Sequence, residues 1–450
     1  MKQIKKYIAF LISLTDIFRV FNKQYTKRAE WIDWSKKDKV MEKVFGQSGS
    51  AKLTLLLCFA IAIFEGFDLQ SMGVAAPRMR AEFMLDNAQM AWAFSAAILG
   101  TLPGAILGGR LADIVGRKKI LILSILLFGI MSLLTAFAAD YNLLLLIRFL
   151  TGLGMGGALP IMITMASEAV SDQYKGTAVS VMYSGIPFGG LLTSVVAMLL
   201  AGDSEWRHIF YIGGIAPILL IPLIIKYLPE SSDYLKRKTQ HQTAIPFFEV
   251  LFAKERRMST IQIWISFFCT LVVLYFLLNW LPLLMGAQGL SKFEANYVQM
   301  GYNIGGIFGS ILIGMMLDKL RMSFVIKLIY TGILLSLCCL SISPTVALLV
   351  LSAIGCGLFI VGGQSALYGL AAMYYPTEMR GTGVGSAVAI GRIGSFAGPL
   401  MAGFLLSLGQ SSTIVIGASI PVILIAAISA LLLVKKPKQP VHLVQSPSAQ

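Results

Sequence analysis

Apolar residues in this chain gather into twelve long runs, with no strand-like alternation between them. The runs cover about 53–76, 90–112, 119–139, 142–165, 177–201, 208–228, 259–285, 295–317, 324–342, 345–371, 384–407 and 412–434. A helix rises about 1.5 Å per residue, so runs of this kind are long enough to cross a hydrocarbon core about 30 Å thick. The pattern predicts an all-α membrane protein with twelve transmembrane helices. One long internal hydrophilic stretch, residues 230–258, separates six runs from six. We therefore expect a basic N-terminal extension (1–51), a first six-helix bundle (52–229), a linker (230–258), a second bundle (259–434) and a short tail (435–450).

Composition narrows the class. Of 450 residues 56% are hydrophobic and 13% charged, about half the charge of a soluble domain. Mean hydropathy is +0.77. Disorder, a disulfide-knotted scaffold and an ordinary soluble enzyme are excluded. The net charge of +15 would suggest nucleic acid if it were clustered in one patch. Instead, with the N-terminus placed inside, 31 of the 37 Lys and Arg fall on the inner side. That is the positive-inside bias, which places both termini in the cytoplasm and argues against a nucleic-acid partner. The five cysteines lie in apolar runs and the three histidines are scattered, so no metal site is expected. Tyr7–Leu14 is too short to span, and no small-residue cleavage site follows it. It reads as an interfacial segment or as a consequence of a true start at Met41.

The halves repeat. A shift of 205 residues places Gly100 on Gly305, Gly104 on Gly309, Asp113 on Asp318, Gly152 on Gly357, Gly157 on Gly362 and Gly189 on Gly394. Six helices per half make the repeat parallel, with its axis along the membrane normal and a substrate site between the halves near mid-membrane.

The strongest local motif joins the second and third runs: Gly109-Arg110-Leu111-Ala112-Asp113-Ile114-Val115-Gly116-Arg117-Lys118. It matches the loop signature G-x-L-A-D-x-x-G-R-K of the major facilitator superfamily. Gly109 is expected to allow close helix approach, and Asp113 and Arg117 to form a polar latch that closes in one state and opens in another. Glu168, near Lys175-Gly176-Thr177, and Glu378, with Arg380-Gly381-Thr382, occupy equivalent ends of the two halves. They read as paired charges of an inner gate.

Two acidic residues stand well inside an apolar run, Glu65 and Asp68. A charge at mid-bilayer costs at least about 2.5–3.5 kcal/mol, so both require a reason. Their i, i+3 spacing suggests one face and a proton-carrying pair; the competing reading is a structural pairing with arginine. Arg148 lies at a depth that permits an Asp68–Arg148 pair, and it is also a candidate for coupling or substrate contact. Arg392 falls at mid-depth where the repeat has Pro187, and a guanidinium there can hold a carboxylate bidentately. Asn279, Trp280, Tyr302, Gln364 and Tyr368 add amides and rings suited to a hydroxylated aromatic acid, with helix packing as the alternative use. No Gly-x4-Gly-Lys-Ser/Thr loop occurs, which excludes direct ATP drive, and no cofactor is expected.

With these residues in view, positions 52–434 resemble the aromatic acid:H+ symporters. Glu65-Gly66-Phe67-Asp68-Leu69-Gln70, Leu278-Asn279-Trp280-Leu281-Pro282, Gly362-Gly363-Gln364-Ser365 and Ala389-Ile390-Gly391-Arg392-Ile393-Gly394 are most similar to the 3-(3-hydroxyphenyl)propionate transporter group. The resemblance implies a major facilitator fold, a monomeric bacterial inner-membrane importer driven by the proton gradient, and essential acids at Glu65, Asp68 and Asp113. Glu65 departs from the aspartate of many such symporters, and the first fifty residues have no counterpart. A drug:H+ efflux antiporter is the alternative, although its Gly-Pro pair is broken here as Gly185-Ile186-Pro187. A ligand sensor on the same fold is a third reading.

Overall fold

A computed structural model describes residues 49–170, 175–199, 206–231, 251–252, 256–375 and 380–435. The N-terminal extension, most of the linker and the tail expected from the sequence lie outside them. Among the described residues are helices and no strands. Twelve helices are long and apolar enough to cross a membrane. In chain order they are α1 Ala51–Glu82, α2 Asn87–Val115, α3 Arg117–Thr135, α4 Tyr141–Glu168, α5 Ala178–Leu199 and α6 Trp206–Tyr227. The second six are α7 Arg257–Ala287, α8 Lys292–Leu317, α9 Met322–Ile342, α10 Val346–Ala371, α11 Gly383–Ser407 and α12 Ser412–Val434. An even number of crossings returns the chain to the side on which α1 begins; that side is called the terminal side below, and the other the far side.

The repeat is physical as well as textual. Each helix start leaves backbone N–H groups unpaired, and two far-side starts in each half solve this with a side-chain cap at matching positions. Asp86 caps α2, accepting from the Gln89 N–H at 2.7 Å while the Gln89 side chain accepts from the Asp86 N–H at 3.0 Å. Ser291 and Glu294, 205 positions on, form the same capping box at α8. Asp140 caps α4 and Thr345, again 205 on, caps α10. Close helix contacts recur too. A side chain on Gly100 would collide with the Phe149 carbonyl, and one on Gly305 with that of Ile354, the same pair displaced by 205. Gly109 does not behave as expected. Nothing lies within 4 Å of where its Cβ would stand, because it faces away from α4 while its neighbour Gly108 makes the approach, against Gly157.

The two halves meet mainly on the far side. There Ser95 of α2 donates to the Phe396 carbonyl of α11 at 3.1 Å, and Phe94 packs edge-on against Trp280 of α7 with centroids 5.1 Å apart. Gly73 of α1 abuts the Asn279 backbone. On the terminal side contact continues between α5 and α8, where Ser180 lies beside Gly314. Around α2 and α11 that side is open: Leu111 and Ile114 are exposed, and Gly109 and Gly385 have no neighbour within 4 Å. The two bundles are joined along the far side and between α5 and α8, and stand apart around the terminal-side ends of α2 and α11.

Candidate functional site

Between the halves lies a cavity with about 560 Å³ of empty space, part of it open to solvent. Its walls come from α1, α4 and α5 on one side and α7, α8, α10 and α11 on the other. The repeat explains its shape and its chemistry. Leu69 and Leu274, Gln70 and Tyr275, Leu159 and Gln364, and Pro187 and Arg392 are pairs separated by 205 residues, and all eight line it. The cavity therefore sits on the pseudo-two-fold axis. Two of these pairs set an apolar residue in the first half against a polar or charged one in the second, so the second half carries more of the recognition chemistry.

Glu65 and Arg392 face this cavity. Both are buried, at 5% and 9% exposure, and no ion pair joins them. Arg392 Nη1 donates to the Tyr275 hydroxyl at 2.9 Å, which orients the guanidinium and leaves its other edge without a carboxylate among the described residues. Glu65 Oε2 has no hydrogen-bond partner among them. The far-side wall is an amide clasp. Gln70 of α1 and Asn303 of α8 exchange two hydrogen bonds of 2.8 Å, and Gln299 donates to Gln70 at 2.8 Å. Toward the terminal side the Tyr183 and Tyr368 hydroxyls pair at 3.2 Å across the halves. Tyr302 lines the cavity with its hydroxyl buried.

The positions divide the expected site residues between the cavity and the bundle interior. Asp68 does not share the cavity with Glu65. Three residues turn a helix by about 300°, and the remaining 60° is enough to aim Asp68 into the first bundle. It is fully buried there, paired with Arg148 at 3.0 and 3.2 Å and accepting from the Ser132 hydroxyl. Arg148 is thus committed to Asp68, with the Phe210 ring 5.6 Å from its guanidinium, and it does not line the cavity. Trp280 donates to the Pro399 carbonyl at 3.0 Å and is wholly buried. Asn279 donates back to the Tyr275 carbonyl at 2.8 Å. Both pack helices and neither reaches the cavity wall. Tyr368 is bonded to the lining residue Tyr183 and is not itself on the wall, whereas Gln364 and Tyr302 are.

At the terminal side, Arg117 pairs with Glu168, and Ser231 bridges them, donating to Glu168 at 2.7 Å and accepting from Arg117 at 2.8 Å. Glu230 accepts the backbone N–H groups of Arg117 and Lys118 at 3.0 and 3.1 Å, placing negative charge at the start of α3 where the helix dipole favours it. Asp113 is exposed and has no partner among the described residues, so that member of the expected latch is disengaged here. Glu378 and the Arg380 side chain lie outside the described residues. Sequence reasoning missed Gln70, Gln299 and Tyr183 as parts of the site, and Tyr275 as the support of Arg392. A glutamine inside an apolar run was the available signal for the first two.

Comparison with known proteins agrees with this architecture. Residues 58–361 and 284–449 match the family profile described as Major Facilitator Superfamily. The chain is 44% identical over 389 residues to the 3-(3-hydroxy-phenyl)propionate transporter of Escherichia coli (strain K12), covering 86% of this chain and 95% of that one. It is 32% identical to the gallate transporter of Pseudomonas putida, covering 79% and 86%. Among solved structures, a D-xylose-proton symporter superposes with a TM-score of 0.69 at 19% identity, covering 86% of this chain and 98% of the other. With twelve apolar helices built as a doubled bundle around a central cavity, and with these relatives, the chain belongs to the Major Facilitator Superfamily and is a multi-pass membrane transporter, not an enzyme.

Proposed function

We propose that the protein takes up an aromatic carboxylate together with a proton, and that 3-(3-hydroxyphenyl)propionate is a substrate. The observation that carries this reading is the unpartnered edge of Arg392 at a tyrosine-lined cavity that also holds Glu65. A buried guanidinium that makes no direct ion pair among the described residues favours an anion beside it. The tyrosine and leucine walls suit an aromatic body, and the names of the similar transporters support the same class. A hydrophobic cation, the cargo of a drug antiporter, would meet Arg392 as like charge.

In this account the proton sits on Glu65. Protonation removes a negative charge from the cavity, so that the substrate carboxylate meets the guanidinium alone. With both aboard, the halves rock about the site by alternating access. Loss of the proton on the cytoplasmic side restores the Glu65 carboxylate and expels the anion. The biased Lys and Arg distribution supports cytoplasmic termini in a bacterial inner membrane, with the parted terminal side facing inward. A monomer suffices, because both halves of the cavity come from one chain. One proton with one monovalent anion is electroneutral, so uptake should respond to the pH gradient and not to the membrane potential. In right-side-out vesicles held alkaline inside, dissipating the pH gradient with nigericin should abolish accumulation of labelled 3-(3-hydroxyphenyl)propionate, and valinomycin with potassium should not. Accumulation that survives nigericin defeats the proposal.

A further inference from the structure

Five of the described tyrosines are buried: Tyr183, Tyr275, Tyr302, Tyr330 and Tyr375. Four have their hydroxyls paired, Tyr183 with Tyr368, Tyr275 with Arg392, Tyr330 with Thr270 and Tyr375 with Thr260. Tyr302 is the exception; its hydroxyl is buried, at 1% residue exposure, and bonded to nothing among the described residues. A buried hydroxyl without a partner costs its desolvation with nothing regained, and phenylalanine would fill the same space without that cost. Tyr302 is one of the residues that line the cavity, so the missing partner can be cargo.

We propose that Tyr302 reads a hydroxyl on the aromatic ring of the substrate, making the transporter selective for hydroxylated over unsubstituted arylalkanoates. The inference rests on the aromatic-carboxylate reading above and adds which end of the cavity takes the ring. Tyr302 lies ten residues from the far-side end of α8 and Arg392 fifteen residues from that of α11. At about 1.5 Å per residue they sit at depths of roughly 15 and 22 Å. That offset is comparable with the length of an arylpropionate from its carboxylate to a hydroxyl on its ring. The substrate therefore lies with its carboxylate at Arg392 and its ring toward α8, between the leucines of α1 and α7 that line the cavity (Leu69, Leu274 and Leu278). A hydroxylated acid gains a hydrogen bond there that an analogue lacking the hydroxyl cannot make.

The test is uptake of labelled 3-(3-hydroxyphenyl)propionate into proteoliposomes, inhibited by the unlabelled acid or by 3-phenylpropionate, which lacks the hydroxyl. The wild type should prefer the hydroxylated acid by about three- to tenfold. Tyr302→Phe should bring that ratio close to one by weakening the hydroxylated acid, with half-inhibition by 3-phenylpropionate unchanged. Unchanged 3-phenylpropionate inhibition also reports that the variant is folded. Equal inhibition of the wild type by the two acids overturns the inference without recourse to any variant. So does a Tyr302→Phe protein that weakens both acids alike or keeps the wild-type ratio. Absence of any uptake by the wild type defeats the proposed function itself, whereas uptake without the preference defeats this inference alone.

Discussion

Glu65→Gln should abolish concentrative uptake while leaving exchange intact. Glutamine keeps the shape and hydrogen-bonding capacity of the side chain but resembles the protonated acid permanently. The variant should bind the aromatic anion and carry it across in either direction, since the charge that opposes the anion is gone. It cannot release a proton, so the gradient has no hold on the substrate distribution. A pH difference of one unit supplies about 1.4 kcal/mol per proton, enough for roughly tenfold accumulation. The wild type should approach that ratio in proteoliposomes, and Glu65→Gln should stop at equal concentrations inside and out. Counterflow, in which unlabelled substrate trapped inside draws in label, should persist in the variant. Loss of counterflow together with accumulation would mean that Glu65 serves binding or folding rather than coupling.

Asp68→Asn should act by a different route, on stability. Asp68 and Arg148 are both almost completely inaccessible, with two hydrogen bonds between them, and neither lines the cavity. Removing one partner of a buried pair leaves the other charged and unpaired, at a cost of about 3–5 kcal/mol. In a protein of ordinary stability, about 5–15 kcal/mol, that loss should show as reduced folded yield and a lower thermal midpoint in detergent. Removing both charges, as Asp68→Asn with Arg148→Gln, should recover most of the midpoint, because a neutral pair carries no uncompensated charge. Glu65→Gln should not lower the midpoint in the same way, since Glu65 holds no ion pair. An Asp68→Asn protein as stable as its parent contradicts the assignment of the pair to scaffolding.

These contrasts mark how far the sequence could be read. The membrane class and the doubled bundle were legible because a bilayer imposes twenty-residue apolar runs, and because closely packed helices demand glycine at matching places in both halves. Intramembrane charge was legible for the same reason: Glu65, Asp68, Arg148 and Arg392 stand out where charge is costly. Their division of labour was not. Glu65 and Asp68 differ by about 60° around α1, a resolution that spacing alone does not supply. In α7 every residue from Leu271 to Pro282 is buried, so no apolar stripe tells which face meets the cavity. Asn279 and Trp280 were therefore read as site residues although they pack against neighbouring helices, while Tyr275, one turn away, went unnoticed in the same run. The broken symmetry of the repeat was a usable signal. Pro187 against Arg392 and Leu159 against Gln364 mark where the second half departs from the first, and both pairs line the cavity.

The central claim is that a proton crosses with the substrate by way of Glu65. It is tested most directly by adding 3-(3-hydroxyphenyl)propionate to lightly buffered proteoliposomes with no imposed gradient and recording external pH. The account predicts prompt alkalinisation outside the wild-type vesicles, abolished by nigericin and absent with Glu65→Gln. Substrate entry into wild-type vesicles with no accompanying change in external pH would contradict it.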